Sequence, residues 1–147
     1  MKRILILLFE VVCVFTFVNA QDYLISTPNT SLLLTAKQGE IARIQYYGTR
    51  IEKDRIQQIY DAGLAFYSET YPVFGIYSYN DKAMQVTHGD GNMSLEPVVE
   101  SVKQYEVPEA EITEVLLKDK VYPFFIKQCY KAYKARGLKL PIRRRSP

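Results

Sequence analysis

Residues 88–133 constrain the fold of this chain more than any other part of the sequence. A turn rich in Gly, Asp and Asn opens this stretch, and two or three strand-like runs follow it. The polar turn at residues 118–120 ends one run, and the last run is full of aromatic residues. Runs of this kind, bounded by turn residues, are typical of antiparallel strands. The stretch therefore predicts the middle of a large antiparallel sheet.

The remaining sequence predicts further strands and a single short helix. Ile56, Ile59, Tyr60 and Gly63 recur at helical spacing behind Asp54, a residue suited to cap a helix start. Elsewhere, short apolar runs alternate with Pro, Asn and Gly turns. The predicted helix covers residues 54–64, and the predicted strands cover residues 23–27, 31–36, 41–47, 83–87, 95–106, 111–117 and 121–134. We therefore expect an all-β fold, an antiparallel β-sandwich with one short helix.

The first 20 residues have the pattern of a secretory signal peptide. Lys2 and Arg3 form a small positive region, residues 4–18 are almost wholly apolar, and small side chains precede Gln21. The alternative is a membrane anchor, but a span needs about 20 apolar residues. The sequence predicts an exported bacterial protein, periplasmic or extracellular, that leaves the membrane after cleavage. The folded domain is then expected at residues 21–134.

The charge distribution argues against nucleic acid as a partner. Of the 19 basic residues, 11 lie between Gln21 and Tyr133, where 15 of the 16 acidic residues also lie. The predicted domain is mildly acidic, whereas nucleic-acid binding needs a basic face on the folded domain. Residues 135–147 hold five further basic residues and no acidic residue. We expect a disordered tail there, and contact of its three consecutive arginines with anionic lipid or nucleic acid is the alternative.

The sequence offers few residues for metal or cofactor chemistry. His88 is the one histidine, and Cys129 is the one cysteine that remains after signal cleavage. An internal disulfide and a zinc site are therefore not expected. No glycine-rich loop is followed by the lysine of a phosphate-binding site. We predict no metal site and no cofactor.

A polar turn at residues 88–92 contains three candidate site residues, His88, Asp90 and Asn92. One interpretation is a polar loop that faces a ligand. The other is a tight turn in which Asp90 and Asn92 accept hydrogen bonds from their own backbone. Turn chemistry explains these residue types without a ligand, so the sequence favours the second interpretation.

Five sequence segments, taken in order, carry a family resemblance. They are residues 25–32 (ISTPNTSL), 46–51 (YYGTRI), 71–75 (YPVFG), 90–95 (DGNMSL) and 117–124 (LKDKVYPF). Together they resemble the N-terminal domain of glycoside hydrolase family 36, the α-galactosidases. The resemblance implies an incomplete β-supersandwich of the galactose-mutarotase-like kind. In the family this domain precedes a (β/α)8 barrel.

The activity that the resemblance implies belongs to the barrel. Family members hydrolyse terminal α-linked galactose with retention, which needs two carboxylates about 5 Å apart. The family nucleophile lies in a Lys-Trp-Asp motif, and this chain has no tryptophan. No catalytic residue can be assigned, and whether the chain belongs to a working enzyme stays open. We expect a non-catalytic fragment of a secreted α-galactosidase, in which the break after Tyr133 reflects a frameshift or an early gene end.

Partners follow from the same resemblance. It implies a catalytic barrel domain, α-galactosides if the chain is part of a full enzyme, and possible homo-oligomers. In tetrameric members the front domain reaches a neighbouring active site, and Tyr47, Arg50 and Asp54 are the candidates for that rim. A structural ion pair of Arg50 with Asp54 or Glu52 is the alternative. Two other functions remain open, a stand-alone carbohydrate-binding module and a non-catalytic subunit of a separately encoded barrel.

Overall fold

The computed structural model describes residues 22–65, 68–75 and 81–135, and the backbone of residues 142–144. The predicted signal peptide and most of the basic tail lie outside the described residues. Within the described ranges, no helix is both long enough and apolar enough to cross a membrane.

The first sheet has four antiparallel strands in chain order. They are β1 (Asp22–Ser26), β2 (Thr30–Thr35), β3 (Arg43–Thr49) and the short β4 (Ser68–Glu69). The turn between β1 and β2 forms because the Thr27 hydroxyl accepts the Thr30 N–H at 3.0 Å. The Thr27 N–H donates to the Thr30 carbonyl at 2.8 Å, so the two strands start in register.

The predicted helix is present but shorter than expected. A 3-10 turn (Lys53–Arg55) leads into α1 (Ile56–Asp61), and Ile59 is its buried residue. The helix ends because Gly63 adopts a φ of +64°, a left-handed conformation that glycine accepts without steric cost.

The second sheet contains the long strands that residues 88–133 predicted. It runs in chain order through β5 (Pro97–Val107), β6 (Ala110–Asp119), β7 (Phe125–Tyr133) and β8 (Ile142–Arg144). All neighbouring strands are antiparallel. Buried residues alternate strictly along β7 from Ile126 to Ala132, so one face of this sheet is covered. The predicted all-β sandwich class is confirmed.

The core lies between the two sheets. Leu32 and Leu34 of β2 belong to the same buried cluster as Val115 and Leu117 of β6 and Ile126 of β7. Full burial of one such side chain contributes about 1.5–3 kcal/mol. The sheets are therefore held mainly by apolar contact.

A polar contact also joins the two halves. Buried Gln128 of β7 donates through Nε2 to the Thr70 carbonyl at 3.0 Å, and its Oε1 accepts from the Thr70 hydroxyl at 3.0 Å. Both polar atoms of this amide are satisfied, so its burial carries little penalty.

Gly75 explains one segment of the family resemblance. Its φ is +110°, and a Cβ there would lie 2.8 Å from the Ser94 Cβ and 3.0 Å from the Leu95 nitrogen. The Leu95 N–H donates to the Phe74 carbonyl at 2.8 Å, which holds the two backbones at this distance. Only glycine fits both the conformation and the space.

The structure differs from the sequence prediction in two further places. Residues 83–87 form no strand, because Met84 makes one isolated bridge with Val73 and no ladder continues from it. In the tail, where disorder was expected, residues 142–144 pair with Ile126–Gln128 of β7. The open edge of β7 offers backbone donors and acceptors that a following segment can pair with whatever its composition.

Candidate functional site

The rim segment, residues 47–54, leaves the end of β3 in a conformation set by its neighbours. The Arg50 N–H donates to the Asn29 carbonyl at 3.0 Å, and the Ile51 N–H donates to the buried Ser31 hydroxyl at 3.0 Å. Both acceptors belong to the β1–β2 hairpin. The hairpin therefore positions the rim segment before any partner binds.

The three rim candidates are all exposed. The Tyr47 side chain is 55% exposed on β3, and Asp54 lies in the 3-10 turn. Arg50 donates through Nε to Glu52 at 3.0 Å and through Nη1 to the Thr27 carbonyl at 3.4 Å. Of the two ion-pair partners predicted for Arg50, the structure therefore shows Glu52. An exposed pair of this kind contributes about 0–1 kcal/mol and leaves the guanidinium free to exchange partners.

Gly48 has a local reason to be glycine. A Cβ at this position would lie 2.7 Å from the Tyr46 hydroxyl. That hydroxyl donates to the Thr49 carbonyl at 2.8 Å and closes the end of β3. A larger residue would push the phenol away and loosen the strand end that carries Tyr47.

The polar turn has the hydrogen bonds that the turn interpretation predicts. Asp90 Oδ1 accepts the Asn92 N–H at 2.9 Å, and Asn92 Oδ1 accepts the Ser94 N–H at 3.0 Å. The His88 N–H donates to the Asn92 carbonyl at 2.8 Å, and Gly91 has a φ of +84°. These bonds account for the Asp, Asn and Gly of the turn.

Tyr122 joins the polar turn, which the sequence did not predict. Its hydroxyl donates to Asp90 Oδ2 at 2.7 Å and accepts from Asn92 Nδ2 at 2.9 Å. Its ring stacks on His88, with centroids 3.5 Å apart and planes 9° apart. The hydrogen bond with Tyr122 lowers the pKa of the Asp90 carboxyl, and the same bond raises the pKa of the Tyr122 phenol. The bond therefore favours the carboxylate form of Asp90 and the neutral form of the Tyr122 phenol.

Asp119 anchors the loop that carries Tyr122. Its carboxylate is 2% exposed and accepts three backbone N–H groups: Glu96 at 2.6 Å, Val121 at 2.9 Å and Tyr122 at 2.8 Å. The sequence marked residues 118–120 as a turn but did not single out Asp119. No sequence spacing indicates its bond to Glu96, which lies 23 positions away.

Across the described part of the chain, no three His, Cys, Asp or Glu side chains are close enough together to hold a metal ion. Cys129 is a half-buried free thiol on β7.

Comparison with known proteins finds solved structures of the same fold. The galactosidase domain of the α-galactosidase–sucrose kinase AgaSK superposes with a TM-score of 0.63 at 16% identity, over 79% of this chain and 20% of that one. The α-galactosidase AgaB of Geobacillus stearothermophilus gives 0.63 at 17%, over 78% and 20%. A double variant of AgaA of the same organism, in complex with raffinose, gives 0.65 at 15%, over 84% and 22%.

This chain has the fold of one part of the family 36 α-galactosidases. It spans about a fifth of the length of the α-galactosidases that it matches. The family resemblance predicted from the five segments is thus confirmed at the level of the fold. No protein-family model matches the sequence, and no curated protein matches it.

Proposed function

We propose that this chain is a non-catalytic β-sandwich domain that serves a family 36 α-galactosidase by packing on its catalytic barrel. The fold match is the observation that carries this proposal. It covers 78–84% of this chain and only 20–22% of the matched enzymes. Most of each matched enzyme therefore lies outside the region that this chain resembles.

We further propose that the complete enzyme is exported and acts on terminal α-galactosides. The signal-like pattern of residues 1–20 supports export. The substrate class is supported by the AgaA variants, which were solved in complex with raffinose and with stachyose. In this setting Tyr47, Arg50 and Asp54 contribute to the rim of an active site. Their exposure and the hairpin that fixes their segment support that role.

The first experiment measures activity in two preparations of the chain. We expect the chain produced alone in a host without α-galactosidase to leave p-nitrophenyl α-galactoside intact. We expect the tagged chain isolated under native conditions from its own organism to bring α-galactosidase activity with it. Hydrolysis by the pure chain, or a native preparation without activity, contradicts the proposal.

The second experiment concerns the gene. All three reading frames beyond the codon for Lys134 are read for a continued strand and a Lys-Trp-Asp motif. A frame with that motif identifies a barrel encoded by the same gene, whereas a barrel encoded elsewhere and co-purifying with the chain identifies a separate subunit. If neither is found, the chain does not serve a barrel.

A second candidate function is a stand-alone carbohydrate-binding module, and the exposed Tyr47 ring favours it. Aromatic rings with a free face and a nearby polar group suit contact with amphipathic ligands. This function predicts saturable binding of an α-galactoside that is lost in Tyr47→Ala and Asp54→Ala. Absence of binding to the unmodified chain eliminates it.

A further inference from the structure

One face of the second sheet is turned away from the core. Along β7, alternate residues from Ile126 to Ala132 are buried, and most of them belong to the cluster between the sheets. The residues between them, from Phe125 to Tyr133, point to the other side, since neighbouring side chains of a strand alternate. The register extends this alternation across β6 and β5. We call the odd-numbered residues of β7, together with the residues paired to them on β6 and β5, the outer face.

The first sheet is covered on both sides, which sets the outer face of the second sheet apart. Leu33 of β2 points away from the core cluster that its two chain neighbours join, and it is still fully buried. Helix α1 lies on that side, because its Tyr60 hydroxyl donates to the Asp22 carboxylate at 3.2 Å. The described elements include no second α-helix to cover the outer face, where Tyr105 is 45% exposed and Phe125 is 40% exposed.

The outer face has an apolar centre and basic flanks. Its middle strand, β6, contributes Ile112 and Leu116. Lysines lie on both sides of this strand, Lys103 on β5 and Lys127 and Lys131 on β7. Specific protein interfaces have this anatomy, with apolar and aromatic residues at the centre and polar residues around them. A sheet face that meets only water is mostly polar instead.

The charge of the outer face is opposite in sign to that of the domain. With Lys118 at the end of β6, the face has four lysines and one carboxylate, Glu114, so its formal charge is +3. Residues 21–133 contain 11 basic and 15 acidic residues, which gives a formal charge of −4. Positive charge is therefore concentrated on this face of an otherwise acidic domain.

The carboxylate of the outer face is already compensated within the face. Lys127 pairs with Glu114 at 2.6 Å, and the Tyr105 hydroxyl donates to the same carboxylate at 3.2 Å. No carboxylate among the described residues forms an ion pair with Lys103 or Lys131. These two ammonium groups, one on each side of the apolar centre, therefore have donors available for a partner.

Charge complementarity selects the kind of partner. A second copy of this chain fits poorly, because two-fold packing brings the same lysines of both copies to one interface. An anionic lipid surface fits less well than a protein, because Glu114 would then face the lipid phosphates. A protein surface with carboxylates opposite the free lysines and apolar groups opposite the centre matches both features of the outer face.

We propose that the outer face is the surface by which this domain docks on its catalytic barrel, with acidic side chains of the barrel opposite Lys103 and Lys131. The inference rests on the proposed function, and it names the surface and the chemistry of that contact. The rim segment leaves the end of β3 in the first sheet. Docking through the second sheet therefore leaves Tyr47, Arg50 and Asp54 exposed.

The test isolates the tagged full chain from its own organism under native conditions and measures the α-galactosidase activity that comes with it. The outer-face variant is Lys103→Glu with Lys131→Glu. The matched control is Lys37→Glu with Lys82→Glu, which changes two exposed lysines outside the second sheet. We expect the accompanying activity to fall at least tenfold in the outer-face variant and to stay unchanged in the control. Added salt should release the activity from the unmodified chain, because salt screens exposed charges.

A second variant guards against misfolding. Lys103→Glu places a carboxylate directly opposite Glu114, and like charges at opposite positions of a sheet are destabilising. Lys103→Gln with Lys131→Gln removes the two positive charges without that repulsion. It should lose less of the accompanying activity than the charge reversal does, and still more than the control. Circular dichroism and the thermal midpoint verify that each variant is folded.

The possible failures can be told apart. If folded outer-face variants bring as much activity as the unmodified chain, the barrel docks elsewhere, and the inference fails while the proposed function stands. If the unmodified chain brings no activity, both fail. Co-sedimentation of the unmodified chain with phosphatidylserine vesicles, lost in the outer-face variants, would assign the face to lipid. A dimer of the pure chain that the same variants dissociate would assign it to a second copy, and either result overturns the inference.

Discussion

Replacing Asp119 with alanine tests whether one buried carboxylate organises the β6–β7 turn. The change removes the acceptor of three backbone N–H groups, those of Glu96, Val121 and Tyr122. It should also release Tyr122 from the polar turn, because the bonds to Asp119 fix the loop that carries the phenol. The expected result is a large loss of stability from a site that contributes no apolar core.

The size of the loss follows from these three bonds. A hydrogen bond to a charged group contributes about 1.5–3 kcal/mol. Val121 is exposed, so its N–H can bond to water once the carboxylate is gone, and the full sum is not reached. We expect Asp119→Ala to lower the free energy of unfolding by about 3–5 kcal/mol, a large part of the roughly 5–15 kcal/mol of a typical domain.

Urea unfolding measures this loss, followed by far-UV circular dichroism and by tyrosine fluorescence, since the chain has no tryptophan. The matched control is Asp90→Ala, which removes an exposed turn carboxylate. Its expected cost is clearly smaller than that of Asp119→Ala, since water replaces the lost partners of an exposed carboxylate.

Equal costs for the two variants would refute the reasoning about Asp119. If Asp119→Ala does not fold, Asp119→Asn keeps one oxygen for Val121 and Tyr122 and turns an amide against the Glu96 N–H. Its cost should be intermediate, and an unchanged unfolding midpoint for it would refute the same reasoning.

Three further predictions rest on single contacts. Gly75→Ala should lower the free energy of unfolding, measured in urea, by at least about 1 kcal/mol more than Gly39→Ala does. Both positions have a positive φ, but only at Gly75 would an added Cβ meet backbone atoms. Equal losses for the two variants would contradict this prediction. Burial raises the pKa of Tyr130 to about 12 from the ordinary value of 10.0. The contribution of this group to the free energy of unfolding is therefore complete below about pH 10 and falls by about 3 kcal/mol as the pH rises toward 12. Tyr130→Phe should remove that alkaline loss of stability. The hydrogen bond from Tyr122 lowers the pKa of Asp90. The contribution of this carboxylate to the free energy of unfolding is therefore present above pH 3.8, the ordinary pKa, and falls as the pH drops below it. Asp90→Asn should remove that loss of stability in acid, and an unchanged loss would contradict the prediction.

The sequence was sufficient to predict whether most segments form a strand or a helix. β6 and β7 were predicted within a few residues, because alternating burial leaves a two-residue period that can be read locally. β3 was predicted at residues 41–47 and lies at Arg43–Thr49. Its bounds depend on the pairing of Thr49 with Thr30 in the next strand, which the local pattern does not contain.

The candidate sites likewise contain some contacts that the sequence predicts and others that only the structure shows. The turn chemistry of Asp90 and Asn92 was readable, because each accepts from a backbone group two positions ahead. The contact of Tyr122 with Asp90 joins residues 32 positions apart, and only the path of the chain brings them together. The bulge of β3 at Gln45 could not be predicted either, since a bulge is defined by the pairing with the partner strand.

The sequence by itself was enough to predict strands bounded by turns and a single short helix. These features depend on residues that lie only a few positions apart. The tertiary structure decided which strands share a sheet and which carboxylate is buried. Those outcomes depend on distances between segments far apart in sequence, which the folded backbone sets.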